Sequence, residues 1–162
     1  MKTLAKNKLN EAIEILAQES KVLVPMKVNG VSKFASWGSE GTLDFEAINT
    51  LLPPKDALFP HTEKMYSYKV SNQEVTDLTV HNEGDQQVIF GLRPCDMQSI
   101  KCMDDVFLTK TFVDEYYKNK RDKLVTVCIG CTKTAPTCFC DSMGLNPSQH
   151  EAADVQMYDL CD

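Results

Sequence analysis

Two short, uninterrupted apolar runs restrict the fold of this chain more than any other feature: Val88-Ile89-Phe90-Gly91-Leu92 and Leu124-Val125-Thr126-Val127-Cys128-Ile129. Runs of this length and β-branched content suit strands buried on both faces, as in a parallel sheet covered by helices. The stretch between them is helical in pattern. Asp96 is placed to cap a helix running to about Leu108, with Ile100, Met103 and Phe107 on one face, and residues 112–121 are polar enough for a surface helix. Strand, two helices and strand in that order predict a right-handed crossover between parallel neighbours. Parallel strands finish at the same edge. Arg93-Pro94-Cys95-Asp96 after the first run and Gly130-Cys131 after the second are therefore expected side by side, where open α/β sheets place their ligands.

The first half reads differently. Leu4, Leu9, Ile13, Leu16 and Ala17 recur at helical spacing, and Lys21 to Val28, Asn29-Gly30 and Val31 to Ser36 form a strand, turn, strand pattern with the Asn-Gly signature of a tight hairpin. A second turn region covers 38–41. Prolines at 53, 54 and 60 exclude a continuous helix or central strand, so residues 51–60 are expected to be a shaped loop. Residues 65–70 and 75–80 read as antiparallel strands turning at Ser71-Asn72. The fold class expected is α/β, in the α+β sense: a mixed sheet with an antiparallel N-terminal part and a parallel β-α-α-β crossover carrying the cysteines at its carboxyl edge.

At 162 residues the chain is the size of one domain, and no stretch approaches the roughly 18 continuous apolar residues of a membrane helix. A net charge of −6 and a pI near 5.1 oppose a nucleic-acid partner, whose phosphates call for clustered Lys and Arg. The basic start lacks an apolar core and cleavage site of the secretory kind, which points to the cytoplasm.

Cysteine use is uneven. All seven cysteines lie between Cys95 and Cys161, with none in the first 94 residues. In a reducing compartment such crowding points to metal binding or redox chemistry rather than disulfides. Cys128-Ile129-Gly130-Cys131 is a C-x-x-C, and Cys138-Phe139-Cys140 a C-x-C shortly after it, on backbone broken by Gly130 and Pro136. Thiolates so spaced can converge on one centre, with Cys95 as the remote member. A helix start at Cys95 is expected to favour its thiolate. Cys131, Cys138, Cys140 and Cys95 form the candidate set. For Cys128, burial in a strand and ligation stand level, Cys102 is read as core packing, and Cys161 is unassigned.

Three chemistries stay open on the residues alone: a 4Fe-4S cluster, a structural zinc site, and thiol exchange at the Cys128/Cys131 pair. The last is disfavoured because residues 132–136 are poor helix-starting sequence. His61, His81 and His150 form no triad or metal-spaced pair, and neither dinucleotide nor P-loop glycine pattern occurs. Arg93 is read either as a cation beside a cluster or as the cap of a strand end. Trp37, Tyr116 and Tyr117 are core or surface aromatics.

Thr50-Leu51-Leu52-Pro53-Pro54-Lys55, Leu58-Phe59-Pro60, Gly91-Leu92-Arg93-Pro94-Cys95-Asp96 and the run from Thr137 to Gly144 together resemble the N-terminal domain of iron–sulfur electron-transfer subunits, namely the beta subunit of cytoplasmic sulfhydrogenases and the A subunit of anaerobic sulfite reductase. By motif, the likeness runs from about residue 45 onward. It implies one 4Fe-4S cluster on Cys95, Cys131, Cys138 and Cys140, with no complete active site in the domain itself. It also implies partners: a flavin subunit binding NAD(P), and a terminal hydrogenase or reductase subunit. Relatives of this kind continue into a C-terminal ferredoxin-like domain with two more clusters, so residues 1–162 are expected to be one domain of a longer subunit. Cys128 and Cys161 depart from the family pattern.

Overall fold

The computed structural model describes residues 2–160, so Cys161 lies outside the described residues. Helix α1 (Leu9–Ala17) places Ile13 in the core, with Leu9 and Ala17 beside it. Leu4 and Leu16, which share the helical spacing, stay exposed. Strands β1 (Lys21–Val28) and β2 (Val31–Ser36) pair antiparallel across Asn29-Gly30, where both residues have positive φ (52° and 80°). That is the backbone an Asn-Gly hairpin turn requires. The short β3 (Thr42–Leu43) pairs with the end of β1.

β4 (Tyr66–Ser71) and β5 (Glu74–Val80) are antiparallel, as their patterning predicts, but they form a separate two-stranded ribbon instead of joining the main sheet. Their turn falls one residue later than expected, at Asn72-Gln73, the pair with φ near +50° and +67°. Apolar alternation specified the ribbon but could not specify a covering partner. Almost every residue of both strands is exposed.

The two apolar runs become β6 (Gln87–Leu92), buried throughout, and β7 (Leu124–Ile129), and they pair in parallel. Between them lie α2 (Pro94–Phe107) and α3 (Glu115–Asp122). Asp114 caps α3 by accepting from the Tyr117 N–H, so this helix starts three residues inside the polar stretch that suggested it. The sheet order is β2-β1-β6-β7-β8, with β1, β6, β7 and β8 (Val155–Met157) mutually parallel. The observed architecture is thus the mixed, α+β sheet expected.

β8 was not legible as a strand. It is docked by Asp154, whose carboxylate accepts from both the N–H and the hydroxyl of buried Thr126 (2.8 and 2.7 Å). Two cores flank the sheet. Ile13, Val22, Val24, Met26, Val88, Phe90 and Val127 fill one side, and Leu58, Ile89, Leu92, Met97, Ile100, Tyr117 and Leu124 the other. The proline loop supplies Leu58 to the second core through a 3-10 turn at Pro54–Ala57. Among the described residues no helix is long and apolar enough to cross a membrane.

Candidate cysteine site

Gly91 sets the geometry of the site. Its φ is +92°, and the β6–β7 register shifts between Phe90 and Leu92, so a glycine bulge bends the end of β6. A Cβ at this position would lie 2.8 Å from the Phe45 ring and 3.0 Å from Pro25, so only glycine lets that ring rest on the strand. Phe45 then meets Phe90 edge to face at 5.9 Å.

Beyond the bulge, Arg93 stands at the N-cap of α2 and Pro94 begins the helix, where its missing N–H costs nothing. The expected cap residue, Asp96, is three positions further in and reaches back, its carboxylate accepting from the Arg93 N–H at 3.1 Å. Cys95 is half-buried in the first turn. The helix start does favour the thiolate, through the Asp96 N–H, but this is outweighed. Burial above all, then the Asp96 carboxylate and the Cys140 and Cys131 thiols, pushes Cys95 up to about 11.

From the neighbouring strand the chain leaves through Gly130 into an irregular loop. A Cβ on Gly130 would stand 2.5 Å from the Ser148 carbonyl, because the returning segment crosses directly over it. The Cys131 N–H donates to the Pro147 carbonyl (2.9 Å) and the Gly130 N–H to that of Met157 (3.1 Å), which ties this loop to β8. Cys131 is raised too, by burial first, and the Arg93 guanidinium works against that rise. In the C-x-C, the Ala135 N–H donates to the Cys138 sulfur at 3.2 Å. Cys140 precedes a 3-10 turn at Asp141–Met143, and its carbonyl accepts from Leu145 (2.9 Å).

Cys131 and Cys140 come close enough to Cys95 to act on it electrostatically, as do Cys138 and Cys140 on Cys131. Among the described residues, however, no three His, Cys, Asp or Glu side chains are arranged to hold a single metal ion. The donor set is sulfur only, as iron–sulfur centres and many zinc sites use.

The remaining thiols separate clearly. Cys128 is fully buried in β7, and burial pushes it up to about 12. Cys102 is exposed rather than packed in the core, because Ile100 and Met97 turn α2's other side inward, and its sulfur faces only the Gln98 amide at 3.6 Å. Among the described residues no α-helix follows Cys131, so the C-x-x-C does not open a helix as a thioredoxin-like pair does. The histidines stay apart: His81 meets the Ser67 hydroxyl (3.0 Å), His150 meets Gln98 (2.9 Å), and His61 is 3.9 Å from Asp56.

Sequence reasoning missed what Arg93 touches. Its Nη2 donates to the backbone carbonyls of Phe45 and Ala47, the latter at 2.9 Å. Arg93 therefore holds a segment far away in sequence, and only its place after a buried strand hinted at a special role.

This is an α+β domain with a mixed sheet, with thiols in the first turn of α2 and in the loop after β7, both following parallel strands. It is similar to the sulfhydrogenase 2 subunit beta of Pyrococcus furiosus, with 30% identity over 148 residues. That stretch is 91% of this chain but 42% of the relative, so the chain spans less than half of that subunit's length. With 91% of the chain matched, the likeness begins well before residue 45, where the motifs alone had placed its start. No protein-family model matches the chain, and no solved structure does.

Proposed function

We propose that this domain is the cluster-binding part of an electron-transfer subunit in a hydrogenase-type complex, holding one 4Fe-4S cluster on Cys95, Cys131, Cys138 and Cys140. The observation that supports the reading is the electrostatic proximity of Cys95 to Cys131 and Cys140, 36 and 45 residues away in sequence, near the carboxyl ends of the parallel strands β6 and β7. A bound cluster supplies one-electron transfer.

The chain's own residues would do the rest. Cys95, in the first turn of α2, and Cys131, two residues past β7, would supply the thiolates next to the sheet. Cys138 and Cys140, on the loop that follows, would supply the other two. Arg93 offsets part of the negative charge that bound thiolates gather. Phe139, Met143, Leu51 and Leu52 are exposed around this edge and suit a partner subunit's surface. A flavin subunit binding NAD(P) and a terminal hydrogenase subunit are the proposed partners, in the cytoplasm, with a further ferredoxin-like domain completing the subunit.

The test is anaerobic purification followed by iron and sulfide quantification and an electron paramagnetic resonance spectrum of the reduced protein. About four iron atoms per chain are expected, against roughly none for Cys138→Ser. Stoichiometric zinc without iron would replace the redox reading with a structural zinc site using the same thiols.

A further inference from the structure

The segment at residues 44–50 lies across the entrance to the cysteine edge, and the chain fastens it at several points. Its start is bonded to the first hairpin: the Asp44 N–H donates to the Pro25 carbonyl (2.9 Å), and the Asp44 carboxylate accepts from the Ser32 hydroxyl and the Ala47 N–H (3.2 Å). Its end is held by the Leu51 N–H on the Ser32 carbonyl (2.8 Å). Between those anchors, Arg93 grips the Phe45 and Ala47 carbonyls from beneath. From the opposite side the Asn49 amide donates to the Thr137 hydroxyl (2.9 Å), and Lys133 pairs with Glu46 (2.9 Å). Thr137 and Lys133 belong to the cysteine loop itself.

Beside these contacts lies an open cleft of about 290 Å³ whose walls include Ala47, Asn49, Arg93, Cys95, Thr137 and Phe139. We infer that Arg93 is a positioning residue that clasps residues 44–50 against the start of α2, beside Cys95, and thereby limits the access of solvent and small reagents to Cys95. A guanidinium suits the task because one rigid fork reaches two carbonyls, a geometry a lysine ammonium does not reproduce. The exposed Lys133–Glu46 pair contributes little, since both side chains are well solvated. In a domain that carries a cluster, the clasp would shield it on the Cys95 side; that consequence rests on the function proposed above, whereas the clasp does not.

The experiment is site-resolved alkylation of the full-length, metal-free chain by iodoacetamide, read by peptide mass spectrometry, in the parent and in Arg93→Lys. Lysine keeps the positive charge, so a change in rate reports access. Cys128, fully buried, reports global opening, and exposed Cys102 reports intrinsic reagent reactivity. Arg93→Lys is expected to label Cys95 about tenfold faster with Cys128 and Cys102 unchanged, as loss of a local closure requires. Asn49→Ala, on the exposed side of the clasp, is expected to give about a threefold increase and tests the idea in a protein with every core contact intact. An unchanged Cys95 rate in both variants, or Cys95 and Cys128 accelerating together, would overturn the inference. Iron content decides the cluster and the labelling ratio decides the clasp, so the two proposals fail separately.

Discussion

At the scale of single residues, two glycines and an arginine shape the site more than the cysteines do. Gly91 takes a φ of +92° and accepts the Phe45 ring where a side chain would stand. Gly91→Ala combines left-handed strain with overpacking and is expected to lower stability by roughly 2–4 kcal/mol in urea unfolding, while a surface change such as Ser39→Ala leaves it unchanged. The thiols divide by burial. Cys138→Ser is expected to abolish iron binding and Cys102→Ser to leave it intact, because Cys102 stands exposed on the outer side of α2. Equal iron loss in both, by colorimetric assay, would contradict the assignment of ligands. The described cysteines also show how one residue type takes different environments: Cys102 exposed on a helix, Cys138 exposed on a loop, Cys128 buried in a strand, and Cys95, Cys131 and Cys140 half-buried.

At the scale of elements, the crossover is locked by a polar contact inside the second core. The Tyr117 hydroxyl donates to Asp104 (2.6 Å), which also receives Arg121 (3.1 Å), and so α3 is bonded to α2. The Tyr117 ring packs against Phe107 in a tilted arrangement, centroids 5.0 Å apart. Tyr117→Phe keeps the packing and removes one hydrogen bond, for an expected loss of about 1 kcal/mol, with Asp104 still satisfied by Arg121. Burial, reinforced by Asp104, raises the phenol well above its ordinary range. The sign of the pH dependence follows: below about pH 10 the phenol is neutral in both states, and above it the unfolded chain ionises while the folded chain does not. The parent protein should therefore lose stability as pH rises past about 10, and Tyr117→Phe should lose less, as measured by melting temperature between pH 8 and pH 11.

At the scale of the whole molecule, the chain consists of a mixed sheet with two cores and a ribbon that adds nothing to either. The ribbon's base is closed by the His81 N–H on the Met65 carbonyl (2.8 Å), so the chain enters and leaves it at one point. Replacing residues 66–80 by two glycines is expected to leave the melting temperature within about 5 °C of the parent and to raise solubility, since Tyr66, Tyr68, Val70 and Leu78 are exposed. A collapse of the melting transition would show that the ribbon supports the core.

The division between what was legible in the chain and what was not follows from the range of each signal. Hydrophobic period, the Asn-Gly turn and the two apolar runs are properties of neighbouring residues. They determined the first hairpin, the parallel crossover and the edge at which Cys95 and Cys131 emerge. β8 was hidden because three residues carry too little periodicity, and its docking depends on Asp154 reaching a threonine 28 residues away. The ribbon's independence, the exposure of Cys102 and the grip of Arg93 on Phe45 and Ala47 all depend on which surfaces meet after folding. So does the character of Cys95: its place at a helix start was visible in the sequence, but the burial and the Asp96 charge that raise its pKa are sums over a three-dimensional neighbourhood. The sequence by itself determined which residues could do sulfur chemistry and on which strands they would be carried; only the tertiary structure decided which stand together, because desolvation and contact across distant segments are set by packing.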